Sequence, residues 1–112
     1  RMNLGDVRDK TVPKMMMVSS PAQGGAISTR TFIPHRCHAS IGVFAGVTVA
    51  TAALLEGSPA HQLGTLPAGD IKSIEVEHPT GTTTIVVTMS GGEVKTAAVL
   101  RTANKLMDGF VF

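Results

Sequence analysis

The sequence has no tryptophan, no tyrosine and only four phenylalanines, so it carries no aromatic platform on which nucleic-acid bases could stack. Its ten basic residues are scattered against eight acidic ones, and a formal charge of +2 is too mild for a nucleic-acid binder. A single cysteine, Cys37, excludes an internal disulfide and fits a reducing compartment. No basic-then-apolar leader opens the chain. The longest charge-free run, Ala39 to Leu55, falls short of the about 20 apolar residues that a bilayer span needs. The expectation is a cytoplasmic protein with neither a nucleic-acid nor a membrane partner. At 112 residues the chain is one domain at most, with room for one core. It opens Arg1-Met2-Asn3 without an obvious start, which suggests a piece of something longer.

What the sequence does have is a stretch from Thr29 to Glu56, TRTFIPHRCHASIGVFAGVTVATAALLE, around which the rest is arranged. A short strand runs into a proline turn, then the lone cysteine between Arg36 and His38, then a long uncharged segment. In that segment small residues alternate with Val, Ile, Leu and Phe. Such a pattern predicts a central helix over about 38–56, apolar all round and so buried on all sides. Its 17 charge-free residues would be about 25 Å long, enough to cross a small domain. Gly57-Ser58-Pro59 is a helix stop, with glycine just past the end and proline two residues on.

The flanking segments read as strands. Met2 to Asp9 is expected to be a helix tail or a loop, closed by Pro13. Lys14 to Ser19 is of strand length, and its three consecutive methionines read as core filler. Ile27 to Ile33 alternates, with Ile27, Thr29, Thr31 and Ile33 on one face, and Pro34 ends it. Ile71 to His78 and Thr82 to Met89 form a hairpin about Pro79-Thr80-Gly81, with Ile74 and Val76 facing away from Glu75 and Glu77. Glu93 to Thr102 and Lys105 to Phe112 are two further strand-like runs. His61 to Asp70 is an irregular connection. The order is two strands, a helix, then three or four strands. It predicts an α+β fold in which a curved, mostly antiparallel or mixed sheet wraps one buried central helix.

Chemistry concentrates in His35-Arg36-Cys37-His38-Ala39-Ser40. The N–H groups at a helix start are unpaired and carry partial positive charge, which makes them a receptor for carboxylate. Arg36 and His38 add donors, and a thiol at a helix start is held more as thiolate, able to act as base or nucleophile. The plainer reading is that Ser40 or a neighbour caps the helix and Cys37 is an inert thiol. His35, Cys37 and His38 have ligand chemistry but not the spacing of a metal site, and no metal is expected. Gly24-Gly25 could cradle a phosphate or carboxylate through backbone amides, although such a pair more often makes a turn.

These segments also resemble a known family. The block RTFIPHRCHASIGV at 30–43 is similar to the C-terminal part of the PrpF family. LGDV at 4–7, VPK at 12–14, IEVEHPTG at 74–81 and LRTANKLMDG at 100–109 support it in order along the chain. The resemblance implies the fold of diaminopimelate epimerase, in which two similar halves each wrap a sheet around a helix and the active site lies between them. Residues 1–112 would then be a single domain, the C-terminal half of a two-domain isomerase. The implied chemistry is isomerisation of a small unsaturated di- or tricarboxylic acid, without a cofactor. A proton leaves a carbon beside a carbonyl or carboxylate and returns at another, and the double bond moves. The epimerase places a cysteine at each helix start, followed by Gly-Thr-Gly; here Cys37 stands at the matching point, followed by His38-Ala39-Ser40. The resemblance thus implies Cys37 as the catalytic candidate and Arg36, His38, Ala39 and Ser40 as carboxylate-binding residues. The implied partners are a small carboxylate substrate and a missing N-terminal half, with a homo-oligomer left open. Two other readings stand beside it: a non-catalytic partial domain that only pairs with a partner half, and a thiol enzyme using Cys37 with His35 or His38 as base.

Overall fold

The computed structural model describes residues 3, 5–6, 8–10, 13–33 and 35–112. The expected tail or loop over 2–9 lies partly outside these residues, as does Pro34, the expected end of the second strand. Alternation of apolar and polar side chains gives five strands: β1 (Met15–Ser19), β2 (Ile27–Phe32), β3 (Ile71–His78), β4 (Gly81–Ser90) and β5 (Glu93–Leu100). Between β2 and β3 lie two helices, α1 (Val43–Leu54) and α2 (Pro59–Leu63). The fold is α+β, with one mixed sheet in the order β1-β2-β3-β4-β5.

Pairing follows from connection length. Strands joined by short turns pair antiparallel, whereas β2 and β3, separated by the helical crossover, pair parallel. That parallel seam is short, with register partners Ile27↔Val76 and Ser28↔Glu77. The β4–β5 turn places Gly91 and Gly92 at φ of 60° and 82°, the left-handed pair that a two-residue hairpin needs for its twist.

The core forms where α1 lies on the sheet. Ile27, Ile74, Val76, Ile85 and Val87 are fully buried, and α1 covers them with Gly46, Val49, Ala50 and Ala53. Burial of each such Ile or Val is worth about 1.5–3 kcal/mol. The small residues let the helix approach closely: a Cβ on Gly46 would meet Ile85 Cδ1 at 3.3 Å. At the far end, His61 Nδ1 lies 2.8 Å from the Ala53 carbonyl, which joins α2 to the last turn of α1.

Four expectations need correction. First, α1 does not span 38–56 but begins at Val43, because Gly42 takes an extended conformation and the N–H groups of His38 and Ser40 bond to Thr31 and to the His38 ring. Second, the helix is buried on one side only: Phe44 is 88 % exposed and Val43 and Thr48 are also exposed, since no second layer covers that face. Third, Met15 and Met17 are exposed on the edge strand β1, and Met16 alone of the three turns toward the core. Fourth, residues 101–112 form no strand; having no partner strand, they leave Leu106, Phe110 and Phe112 in solvent.

An apolar groove of about 500 Å³ runs between β1 and the open side of α1, lined by Met15, Val18, Phe44 and Val49 among others. Thr31 at its floor has a buried hydroxyl with no hydrogen-bond partner among the described residues. No helix among the described residues is long and apolar enough to cross a membrane.

Candidate active site

The loop between β2 and α1 folds back on the end of β2. The Ile33 N–H donates to the Arg36 carbonyl at 2.9 Å, and the His38 N–H donates to the Thr31 carbonyl at 2.7 Å. These two bonds bracket an antiparallel bridge between Phe32 and Cys37, so Cys37 projects from a small hairpin and not from a helix start. Its thiol is free and exposed, and its Sγ makes a weak 3.6 Å contact to the His38 carbonyl. Ile33, Arg36, Cys37, His38 and Ala39 line one depression of about 320 Å³.

Two histidines fix the end of this loop. The Ser40 N–H donates to His38 Nδ1 at 2.9 Å, so that nitrogen carries a lone pair and the ring proton of His38 sits on Nε2 as a donor. The Ser40 hydroxyl lies 3.4 Å from His78 Nε2, and His78 Nδ1 lies 3.2 Å from the Thr80 hydroxyl. The amides of His38 and Ser40 are therefore engaged inside the protein. In the trio 38–40, Ala39 alone has an N–H with no partner among the described residues. Ser40 does not cap the helix; the cap position is Gly42, which offers no side chain, and no acid sits in the first turn. The start of α1, six residues beyond Cys37, thus has no side-chain cap.

The thiol–imidazole pair required by a thiol enzyme is not formed. His35 Nε2 lies 2.7 Å from the Arg8 carbonyl and His38 Nδ1 is engaged by Ser40, so neither ring is bonded to Cys37 among the described residues. No group of three His, Cys, Asp or Glu side chains able to hold a metal is found among the described residues.

A second polar feature escaped the sequence. Glu77 is only 4 % exposed. Its carboxylate accepts the N–H groups of Ala22, Gln23 and Gly25 at 2.8, 2.9 and 2.7 Å. The hydrogen bond from Ala22 holds the Glu77 carboxyl below the ordinary carboxylate range; desolvation opposes this, and the bonds from Gln23 and Gly25 add to it. Gly24-Gly25 reads more readily as a turn than as a cradle; the loop does cradle a carboxylate, through Ala22, Gln23 and Gly25 and not Gly24, and that carboxylate is internal. Gly25 is needed there because a Cβ would lie 2.7 Å from Glu77 Cγ and Oε2. This clamp staples the loop to β3 beside the short parallel seam, and it immediately precedes His78.

The loop brings Arg36, a free thiol and His38 together at one end of a mixed α+β sheet. The chain belongs to the PrpF family: that family's model, described as PrpF protein, matches residues 3–112. It is 55 % identical over 112 residues to the (4E)-oxalomesaconate Delta-isomerase of Novosphingobium sp. (strain KA1). It is 52 % identical over 111 residues to the 4-oxalomesaconate tautomerase of Pseudomonas putida. Each alignment covers 99 % of this chain but 31 % of the relative, so the chain spans about a third of the length of the curated relatives it matches. Among solved structures, methylitaconate-delta-isomerase shares the fold, with a TM-score of 0.64 at 19 % identity over 80 % of this chain and 28 % of that one.

Proposed function

We propose that the chain is the C-terminal portion of a cofactor-independent isomerase that shifts a double bond in a small unsaturated polycarboxylic acid of the 4-oxalomesaconate type. The observation that carries this reading is the clustering of Arg36, Cys37 and His38 around one exposed depression. In that depression Arg36 binds a substrate carboxylate through its planar fork of donors. The Nε2–H of His38 and the N–H of Ala39 face the oxygen on which negative charge develops; one such donor is worth about 10²–10³ in kcat. Cys37 takes the proton from the carbon beside the carbonyl or carboxylate and the protein returns one at another carbon, so the electron pair moves as an enolate and no redox step arises. Ser40, bonded to His38 and near His78, anchors the end of the loop that carries these groups.

This chain supplies one wall of the cleft. The groove beside α1, the exposed Phe44 and the apolar residues 106–112 are where the missing N-terminal portion packs, and the sheet then encloses the helix on the pattern of diaminopimelate epimerase. A lone exposed cysteine suits a reducing, cytoplasmic setting.

The test is to join the chain to the preceding part of the longer protein and assay isomerisation of 4-oxalomesaconate. The joined protein is expected to turn over at a rate in the usual range, about 1–10³ s⁻¹, and the chain alone to be inactive. Full activity of the chain alone, or an inactive joined protein that is folded, overturns the proposal. The reading of a non-catalytic pairing domain predicts the second of these outcomes.

A further inference from the structure

His38 is held at two points. Its N–H is bonded to the Thr31 carbonyl at 2.7 Å, which ties its backbone to β2. Its ring is held through Ser40, whose N–H donates to Nδ1 at 2.9 Å. This second bond joins residues two apart in one loop, so it fixes the ring only as firmly as Ser40 itself is fixed. Among the described residues, the hydrogen bond that joins Ser40 to another element runs from its hydroxyl to His78 Nε2, at 3.4 Å. His78 ends β3 and is anchored from behind. The preceding residue, Glu77, is bonded twice over: its carboxylate accepts three N–H groups of the loop before β2, and its carbonyl accepts the Thr29 hydroxyl at 2.7 Å. His78 itself pairs with Gly81 across the turn, and its Nδ1 lies 3.2 Å from the Thr80 hydroxyl, which leaves Nε2 turned toward Ser40.

We propose that His78 is a positioning residue which, acting through Ser40, holds the His38 ring in its Nε2–H tautomer with that proton facing the depression beside Cys37. The importance of this for the reaction rests on the reading of His38 Nε2–H as a donor to the oxygen that gains charge. A neutral imidazole has two tautomers, and the bond made by one nitrogen decides which of the two carries the proton. Arg36 and Cys37 share the depression with His38, but among the described residues neither is bonded to its ring, and the Cys37 Sγ turns to the His38 carbonyl. The choice of tautomer therefore falls to Ser40, and the placing of Ser40 to β3. At 3.4 Å the link from Ser40 to His78 is long for a hydrogen bond, so its removal is worth a several-fold effect and not a complete loss.

The four histidine rings of the chain are observed by NMR through nitrogen-15 in the imidazoles. At about pH 8 an ordinary imidazole is neutral, and its two ring nitrogens resonate far apart in a pure tautomer and converge in a mixture. His38 is expected to show the pure Nε2–H pattern. His78→Ala should shift its tautomer ratio about fivefold toward the Nδ1–H form. Ser40→Ala, which keeps the N–H and removes only the hydroxyl, should do the same, and the two changes together should do no more than either alone. His78→Gln, whose terminal amide reaches the place of Nε2 and can donate or accept, should restore the parent pattern. In the joined protein, His78→Ala is expected to lower kcat about tenfold with KM within about twofold, and His78→Gln to recover the loss. An unchanged His38 pattern in both alanine variants overturns the proposal, as does a change that His78→Gln fails to reverse. If the tautomer responds as stated while kcat does not, His78 positions the ring, and the reading of His38 as donor to the reacting oxygen is what falls.

Discussion

Two loops of this small domain gather groups that attract a carboxylate, and they do opposite things with them. The loop before β2 aims three N–H groups at Glu77, whose carboxylate arrives from β3, more than fifty residues along the chain. The loop after β2 presents Arg36, the Nε2 side of His38 and the Ala39 amide, and no carboxylate of the described residues meets them. The first is saturated and nearly sealed; the second is open and lined by an exposed thiol. An anion receptor filled by the protein's own carboxylate is architecture. The open loop is where we propose that a substrate carboxylate binds, beside a group able to transfer a proton.

The comparison can be broken from either side. The largest effect is expected in the open loop. In the complete enzyme, Cys37→Ala should lower kcat about 10²–10⁴-fold with little change in KM, measured by steady-state kinetics. A fall of less than tenfold would reduce Cys37 to a lining residue. Next comes the sealed loop: Gly25→Ala drives a Cβ into Glu77 and should cost about 1–3 kcal/mol of stability in urea unfolding.

A third effect is pH-dependent. The Glu77 carboxyl is held below its ordinary value of 4.5 in the folded state. Its stabilisation is therefore fully present above about pH 4.5, the unfolded value, and is lost as the pH falls through the lower folded value. Glu77→Gln should flatten this acid limb of the stability profile. Smallest of all is the effect of Arg36→Gln on stability. The side chain is exposed, so the unfolding free energy should stay within about 0.5 kcal/mol of the parent even as carboxylate binding weakens.

How far the sequence could be read depended on whether the information was local. Strand β3 was legible residue for residue, because Ile71 to His78 alternates cleanly and is bounded by Gly69-Asp70 and Pro79. The buried face of β2 was legible in the same way, with Ile27, Thr29 and Thr31 inside. The start of α1 was not. A charge-free run does not distinguish coil from helix, and Ala39-Ser40-Ile41-Gly42 contains no capping side chain that the structure uses. The strand-like pattern of residues 105–112 is periodic but has nothing to pair with. Glu77 was hidden for another reason. Its partners are fixed only once the helical crossover has brought β2 beside β3, and Gly24-Gly25 by itself announces a cradle without saying what fills it. The candidate loop could be picked out as a cluster of residue types, while its hairpin geometry and the contact between Ser40 and His78 emerged only with the fold.

The contrast between the two loops is tested most directly by following every backbone amide of the chain by NMR while tricarballylate is added. The account predicts that amides at 36–41 shift in a saturable way, Ala39 most of all, and that those of Ala22, Gln23 and Gly25 stay still because Glu77 already occupies them. Movement of the Ala22–Gly25 amides with silence at 36–41 would contradict it.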